Sequence, residues 1–222
     1  MAVNKEKYKE IYNYCNVHNA QLVAVSKTKP IIDLQEVYQL GQRDFGENYV
    51  QELVDKQAQL PVDIRWHFIG HLQSNKVKYI APFVHLIHGV DSLKLLKEIN
   101  KQAVKYNRVI DVLLQMHIAK EESKFGLDEK ELSDLMESPE LPALLNIRIC
   151  GLMGMASFSN DLNLVRAEFK TLKRIFDQAS KFQISNEKFE IISMGMSGDY
   201  TIAIEEGSNI VRIGSLLFGN RS

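Results

Sequence analysis

The chain has 222 residues, with 27 lysine and arginine residues against 28 aspartate and glutamate residues and a formal net charge of −1. This balance gives no basic surface for nucleic acid or for an anionic membrane. With 45% hydrophobic and 25% charged residues, the composition is typical of one globular domain over residues 1–222. The charged N-terminus is unlike a signal peptide and no apolar run reaches membrane-spanning length, so we expect a cytoplasmic protein. Cys15 and Cys150 have no metal-binding spacing and are expected to be buried thiols.

Strand-like and helix-like segments alternate along the chain. An opening helix over about Lys5 to Val17 precedes the first strand. The predicted strands are Gln21–Ser26, a short run ending in Phe45-Gly46-Glu47, Ile64–Ile69, Val84–His88, Val109–Ile118, Ile147–Met155, Phe189–Met194 and Ile210–Gly214. The predicted helices between them are Ile31–Leu40, Tyr49–Gln59, Gln73–Ile80, Leu93 to about Tyr106, Glu129–Met136, Leu162–Lys181 and Tyr200–Glu206.

Eight strands separated by helices imply parallel pairing, because each crossover returns the chain to the same edge of the sheet. A doubly wound sheet and a closed barrel both satisfy this pattern. The strand count favours the barrel, and the lack of a GxGxxG after the first strand disfavours a dinucleotide-binding sheet. The predicted fold is therefore α/β, a single (β/α)8 TIM barrel with an extra N-terminal helix that packs outside it.

Lys27 lies at the C-terminal end of the first predicted strand, where the functional site of such a barrel is found. Lys29 follows two residues later, so both amines face the same way if the extended geometry continues. Two neighbouring ammonium groups disfavour each other's charged form, and partial burial adds to this effect, which leaves one amine nucleophilic near neutral pH. The pattern is compatible with imine chemistry at Lys27 and equally with an ion-paired or solvated loop lysine.

The loops after the seventh and eighth predicted strands resemble the usual phosphate site of this fold. They contain Gly195-Met196-Ser197-Gly198-Asp199 and Gly214-Ser215. Glycines allow backbone amides to approach an anion, and serines add hydroxyl donors. Asp199 is expected to cap the following helix, because a carboxylate that pointed inward would oppose an anion. Ordinary turn glycines are the alternative.

Other polar residues at the strand ends give weaker signals. His67 and His71 have the i, i+4 spacing of a helical zinc pair, but they flank a strand end and no third ligand is evident, so we predict no metal site. The pair Glu47-Asn48 could be an acid–base element or a hydrogen-bonding pair, and nothing local decides between them. Trp66 is expected to serve in packing.

The chain resembles the pyridoxal phosphate homeostasis protein family, the single-barrel relatives of the N-terminal domain of alanine racemase. The resemblance spans nearly the whole chain and rests on eight blocks in order. These blocks are Ala24–Pro30, Phe45–Glu52, Trp66–Lys76, Glu122–Lys124 with Gly126, Gly151–Met153, Ser193–Ser197, Val211–Gly214 and Phe218–Gly219.

The resemblance implies that pyridoxal 5′-phosphate (PLP) is bound as a Schiff base on Lys27. Near it the resemblance places Asn48 and Arg212 by the cofactor ring, Ser197, Gly198, Gly214 and Ser215 around the phosphate, and Lys29, Lys124 and Met196 as accessory residues. An arginine that faces the pyridine nitrogen would keep it unprotonated and weaken the electron sink. The chain departs from the family at Gly198, where many members have aspartate, and at Ser215, where threonine is common.

The resemblance also implies a carrier of PLP that contributes to intracellular vitamin B6 homeostasis without turnover of its own. Alanine racemase has a second domain that supplies a tyrosine base, and this sequence ends at Ser222 without such a domain. We expect a monomer whose partners are PLP and PLP-dependent apo-enzymes, with no nucleic acid or membrane. A PLP-dependent amino-acid racemase and an imine-forming aldolase-type barrel are the alternatives.

Overall fold

A computed structural model describes residues 3–119, 125–181 and 189–219. Eight parallel strands form a closed barrel in sequence order, and the last strand pairs with the first. The strands are β1 (Gln21–Val25), β2 (Asp44–Glu47), β3 (Arg65–Phe68), β4 (Leu86–Val90), β5 (Ile110–Met116), β6 (Ile147–Gly154), β7 (Ile191–Ser193) and β8 (Ile210–Ile213). The predicted (β/α)8 barrel is confirmed.

Helices surround the barrel and connect its strands. They are α1 (Lys5–Val17), α2 (Ile31–Gln39), α3 (Val50–Gln57), α4 (Val77–Ile80), α5 (Leu93–Lys105), α6 (Glu129–Met136), α7 (Leu162–Ala179), α8 (Tyr200–Glu205) and α9 (Ser215–Phe218). Two short 3₁₀ turns lie at Ser74–Lys76 and Leu141–Ala143. The long helices match their predicted ranges closely, whereas the short helix α9 was not predicted.

The opening helix α1 packs on the outside of the barrel against β1 and α9. It begins where the Asn4 side chain accepts a hydrogen bond from the Lys7 amide at 3.0 Å, which satisfies one of the free N–H groups of the first turn. Its buried face presents Tyr8, Ile11 and Cys15. The prediction of an extra N-terminal helix over Lys5–Val17 is confirmed.

The position of the fourth strand was predicted wrongly by two residues. Val84 closes the turn after α4, because its amide donates to the Ile80 carbonyl at 2.8 Å. Pairing with β3 begins at His85, whose amide donates to the Trp66 carbonyl at 2.8 Å. The turn before β4 and the first residues of β4 are both rich in apolar side chains, so composition alone cannot separate the buried turn from the strand.

Apolar side chains form two layers around the strands. The larger cluster fills the space between strands and helices and includes Trp66, which packs against Phe45 as expected. The smaller cluster lies on the inner face of the barrel and includes Val23, Leu113 and Met153. This inner cluster is small because buried polar side chains on β3, β4, β7 and β8 occupy much of the interior.

The cysteines are buried in this core. Cys15 and Cys150 are free thiols with little solvent exposure, as the sequence indicated. Burial raises the pKa of the Cys15 thiol to about 11, so it is protonated at neutral pH. Within the described ranges, no helix is both long enough and apolar enough to cross a lipid bilayer.

Candidate functional site

A cavity of about 610 Å³ opens at the C-terminal ends of the strands. This volume is typical of a pocket for a small molecule. Most of its lining residues had been singled out in the sequence. They are Lys27, Lys29, Asn48, Met196, Ser197, Gly198, Arg212, Gly214 and Ser215. Lys124, the remaining accessory candidate, lies outside the described residues.

Lys27 is half-buried at the cavity wall, two residues beyond the end of β1. The extended backbone stops there, because Thr28 has a φ of +63°. A β-branched residue in the left-handed region is strained and is held by its surroundings. Here the Thr28 amide donates to Glu52 Oε1 at 2.6 Å, and the Lys29 amide donates to the Ser26 carbonyl at 3.1 Å.

This turn corrects the expectation that an extended strand aligns Lys27 with Lys29. The Lys29 amine donates to the carbonyl oxygens of Phe218 and Gly219 at 2.9 Å and 3.1 Å, at the end of α9. The argument that the two ammonium groups disfavour each other's charge therefore loses its geometric basis. Lys29 ties the end of β1 to the C-terminal helix of the described chain.

A buried ion network lies directly beneath this turn. Glu47 is fully buried, and its Oε1 accepts from the Ser26 hydroxyl at 2.6 Å and from the Lys56 amine at 2.7 Å. Lys56 also donates to the Ser26 carbonyl and to Glu52 Oε1, both at 2.7 Å. Burial raises the pKa of Glu47, and the charge of Lys56 opposes that rise. Because Glu52 also holds the Thr28 amide, the network fixes the backbone on both sides of Lys27.

Glu47 is thus a structural hydrogen-bonding residue, and its partner Lys56 was missed in the sequence. The signal was present in α3, where Leu53 and Lys56 share the buried face. A lysine on an apolar helix face is unusual unless a carboxylate neutralises it.

The loops after β7 and β8 meet across the cavity. The Ser197 hydroxyl oxygen accepts from the Gly214 amide at 3.4 Å. Asp199 precedes α8 but does not cap it through its side chain, which corrects the prediction. Its Oδ1 accepts instead from the Met196 amide at 2.6 Å and so stabilises the loop itself. The loops bring small residues and hydroxyl groups together in an arrangement that suits a phosphate.

Arg212 is a buried cation at the cavity wall, with 4% of its surface exposed. It donates to the Ser193 hydroxyl oxygen at 2.6 Å and to the Gly154 carbonyl at 3.0 Å, which are both neutral groups. Burial lowers the pKa of the guanidinium to about 10, so it remains charged at neutral pH. Among the described residues no carboxylate forms an ion pair with it. A buried cation of this kind is costly without an electron-rich partner.

Asn48, just beyond β2, presents a second unsatisfied group. Its Oδ1 is buried and has no hydrogen-bond partner within the described ranges. A buried acceptor of this kind is satisfied when a ligand or a water molecule supplies the donor. With the amine of Lys27, the charge of Arg212 and the hydroxyl-lined loops, the cavity fits a phosphorylated aldehyde with a planar polar ring.

The two histidines with zinc-like spacing are separated by the fold. His67 points into the barrel, where its Nδ1 lies 2.9 Å from His88 Nε2. His71 is exposed, stacks on Phe125 with ring centroids 4.6 Å apart, and lies 3.7 Å from a carboxylate oxygen of Asp91. In the described part of the chain no group of three or more His, Cys, Asp or Glu side chains could hold a metal ion.

The family model for the alanine racemase N-terminal domain matches residues 4–222. The closed parallel barrel, with a lysine after β1 and small polar loops after β7 and β8, is therefore of the alanine racemase type. A protein of Aquifex aeolicus (strain VF5), named pyridoxal phosphate homeostasis protein, is 43% identical over 204 residues, which cover 91% of this chain and 87% of that protein. The chain belongs to the pyridoxal phosphate homeostasis protein family.

Solved structures give the same result. PipY of Synechococcus elongatus PCC7942, solved without PLP, is 34% identical and matches with a TM-score of 0.88 over 96% of this chain and 99% of that chain. The structure of PipY with PLP bound is 33% identical in the match, with a TM-score of 0.84 over 96% of this chain and 100% of that one.

Proposed function

We propose that this protein binds PLP at the mouth of its barrel and carries or buffers it for intracellular vitamin B6 homeostasis. The observation that carries the proposal is the convergence of Lys27, Asn48, Ser197 and Arg212 on one cavity. The name of the Aquifex relative and the PLP bound to PipY support the same ligand.

Each polar group of the cavity has a role toward this ligand. When bound, PLP supplies an aldehyde that condenses with a primary amine. Lys27 provides that amine. Ser197, Gly198, Gly214 and Ser215 bind the phosphate through hydroxyl and backbone N–H groups. Arg212 would hold the ring nitrogen, and Asn48 would contact the ring edge.

The cavity wall supports binding without turnover. Racemisation requires acid–base groups on both faces of the substrate carbanion. Within the described ranges, the titratable side chains that line the cavity are Lys27, Lys29, Asp199 and Arg212. Lys29 donates to two backbone carbonyls and Asp199 accepts from a loop amide, so both have structural contacts. Lys27 would serve one face, and the described lining residues include no tyrosine or histidine to serve the other.

The proposal includes the partners and the location of the protein. A carrier of PLP would deliver it to PLP-dependent apo-enzymes, and we propose that the protein acts as a cytoplasmic monomer. Mixing the PLP-loaded protein with a PLP-dependent apo-enzyme tests this part of the proposal. Recovery of enzyme activity faster than PLP dissociates from the carrier indicates direct delivery, and recovery at the dissociation rate contradicts it.

The binding site is tested by absorbance and chemical trapping. We expect the purified protein with PLP to be yellow, and borohydride reduction followed by peptide mapping to attach the cofactor to Lys27. Lys27→Ala should abolish the visible band and the label, whereas Lys29→Ala should keep the label on Lys27. A wild-type protein that takes up no PLP overturns the proposal. Amino-acid racemisation that is sustained in the wild type and lost in Lys27→Ala overturns the absence of turnover.

A further inference from the structure

The neutral partner of Arg212 belongs to a chain of hydrogen bonds that crosses the barrel interior. Ser193 Oγ accepts from Arg212 Nη1 at 2.6 Å and lies 3.0 Å from His88 Nδ1. His88 Nε2 lies 2.9 Å from His67 Nδ1, and His67 Nε2 lies 3.1 Å from Asp44 Oδ1. All five residues are buried. The chain therefore joins the cavity at the C-terminal mouth to the first residue of β2, at the opposite rim.

The end at Asp44 is an ionised carboxylate. Arg65 binds it in a bidentate manner, with Nε 2.7 Å from Oδ1 and Nη2 2.5 Å from Oδ2. Burial alone would raise the pKa of Asp44, but the hydrogen bonds from His67 and Arg65 outweigh that effect and hold the pKa well below its ordinary value. Asp44 therefore only accepts hydrogen bonds.

When each imidazole carries one proton, the carboxylate end fixes the direction of every bond. A carboxylate only accepts, so the protons point from Arg212 towards Asp44. His67 then carries its proton on Nε2 and donates it to Asp44. His88 also carries its proton on Nε2 and donates to His67, and the Ser193 hydroxyl donates to His88. Both imidazoles are neutral in this arrangement, and every donor has an acceptor.

A doubly protonated His67 would break this pattern. Its Nδ1–H would have to donate to His88 Nε2, and His88 would then donate from Nδ1 to Ser193. The Ser193 hydroxyl already accepts from Arg212, so its own proton would have no acceptor among the residues that the structure describes. A buried hydroxyl without a partner is unfavourable.

We propose that Ser193 and His88 are positioning residues for Arg212, and that Asp44 sets their hydrogen-bond direction from the far rim. Ser193 holds Nη1 of the guanidinium and the Gly154 carbonyl holds Nη2. An arginine has five N–H groups, and these two contacts use two of them, on a residue that lines the cavity. The consequence for PLP rests on the proposed function, whereas the arrangement of the protons does not.

The barrel contains a matched control for Asp44. Asp111 and Arg148 form the same bidentate pair, at 2.8 Å and 2.7 Å, between the beginnings of β5 and β6. As in the pair of Asp44 with Arg65, the two residues are direct neighbours in the strand register. Among the described residues Asp111 forms no hydrogen bond with a histidine, so Asp111→Asn changes an equivalent pair and leaves the interior hydrogen bonds intact.

Nitrogen NMR of the histidine side chains tests the direction of the chain without any ligand. We expect His67 and His88 in the wild-type protein near pH 7 to be neutral Nε2–H tautomers. We also expect slow rotation of the Arg212 guanidinium, with separate Nη signals, that becomes fast in Ser193→Ala. An imidazolium or an Nδ1–H tautomer at either histidine overturns the assigned direction. Unchanged guanidinium rotation in Ser193→Ala overturns the positioning role.

Titration with PLP tests the consequence at the site. Loss of one hydrogen bond to a charged group should weaken PLP binding by about tenfold in Ser193→Ala. Asp44→Asn should weaken it by roughly threefold to tenfold and introduce a second tautomer at His67, whereas Asp111→Asn should change neither. Equal PLP affinities in the Asp44 and Asp111 variants overturn the inference while the proposed function stands. Absence of PLP binding in the wild type contradicts the proposed function. The NMR result then still tests the direction of the hydrogen bonds from Arg212 to Asp44.

Discussion

Lys56 and Glu47 illustrate how one buried pair determines the geometry of a site that neither residue lines. The side chain of Lys56 is 6% exposed and that of Glu47 is fully buried. Together with Glu52 they hold the backbone at Ser26 and Thr28, on both sides of Lys27. Replacing either partner leaves an uncompensated buried charge, which is more costly than the pair itself is stabilising.

We predict that Lys56→Met lowers the free energy of unfolding by about 3–5 kcal/mol, as expected when a buried ion pair loses one partner. Urea denaturation monitored by circular dichroism measures the change. The double variant Lys56→Met with Glu47→Gln should recover part of the loss, because the unpaired charge is then gone. A loss below about 1 kcal/mol in Lys56→Met would show that the pair is solvated.

Two glycines in the loop after β7 should differ sharply in their tolerance of a side chain. Gly195 has a φ of +97°, and a Cβ there would lie 2.6 Å from the Ala203 Cβ, whereas a Cβ on Gly198 would meet nothing within 4 Å. We predict that Gly195→Ala is destabilising by about 2–4 kcal/mol, from left-handed strain plus overpacking. Gly198→Ala should change stability by less than about 0.5 kcal/mol. Thermal unfolding of the two variants tests this, and similar midpoints would contradict it.

At the scale of elements, β4 places His88 at the centre of the barrel. Burial lowers the pKa of His88 well below its ordinary value, and the positive charge of Arg212 acts in the same direction. The unfolded chain binds a proton at this histidine below about pH 6.5, and the folded chain does not. The contribution to stability is therefore complete above that pH and is lost as the pH falls.

We predict that the free energy of unfolding decreases by about 1.6 kcal/mol between pH 6.5 and 5 through His88 alone, with a slope that approaches about 1.4 kcal/mol for each pH unit at the acidic end. Urea denaturation at several pH values measures the slope. His88→Gln should flatten it. A wild-type stability that is constant over this range would contradict neutral burial of His88.

The strands, helices and loops differ in how well they could be predicted from the sequence. The strands and long helices follow from apolar runs and caps, as at α6, where Asp128 and Glu131 form a capping box. Lys27 and the loops after β7 and β8 could be placed because a parallel barrel gathers its strand ends at one mouth. The left-handed Thr28 could not, because it depends on the side chain of Glu52 in α3. The contact of His88 with Ser193 could not, because it joins two strands that are distant in sequence.

At the scale of the whole molecule, PLP should act as a stabilising ligand, because it binds the folded barrel and not the unfolded chain. At a free PLP concentration about 100-fold above the dissociation constant, mass action adds about 2.7 kcal/mol. For a chain of this length we predict a rise in the midpoint of thermal unfolding of roughly 5–10 °C. Differential scanning fluorimetry measures the rise, which should be much smaller in Lys27→Ala. An equal rise in that variant would place the binding elsewhere.

The pairing of β1 with β8 has a consequence for the order of events in the cell. Lys27 follows the first strand of the barrel, and Arg212 lies on the last, so 185 residue positions separate two groups of one cavity. During synthesis Lys27 leaves the ribosome long before Arg212 and the loop after β8 are made. The complete cavity therefore exists only after the last strand has paired with the first. We expect incompletely synthesised chains to bind PLP weakly, because they lack Arg212 and the loop after β8.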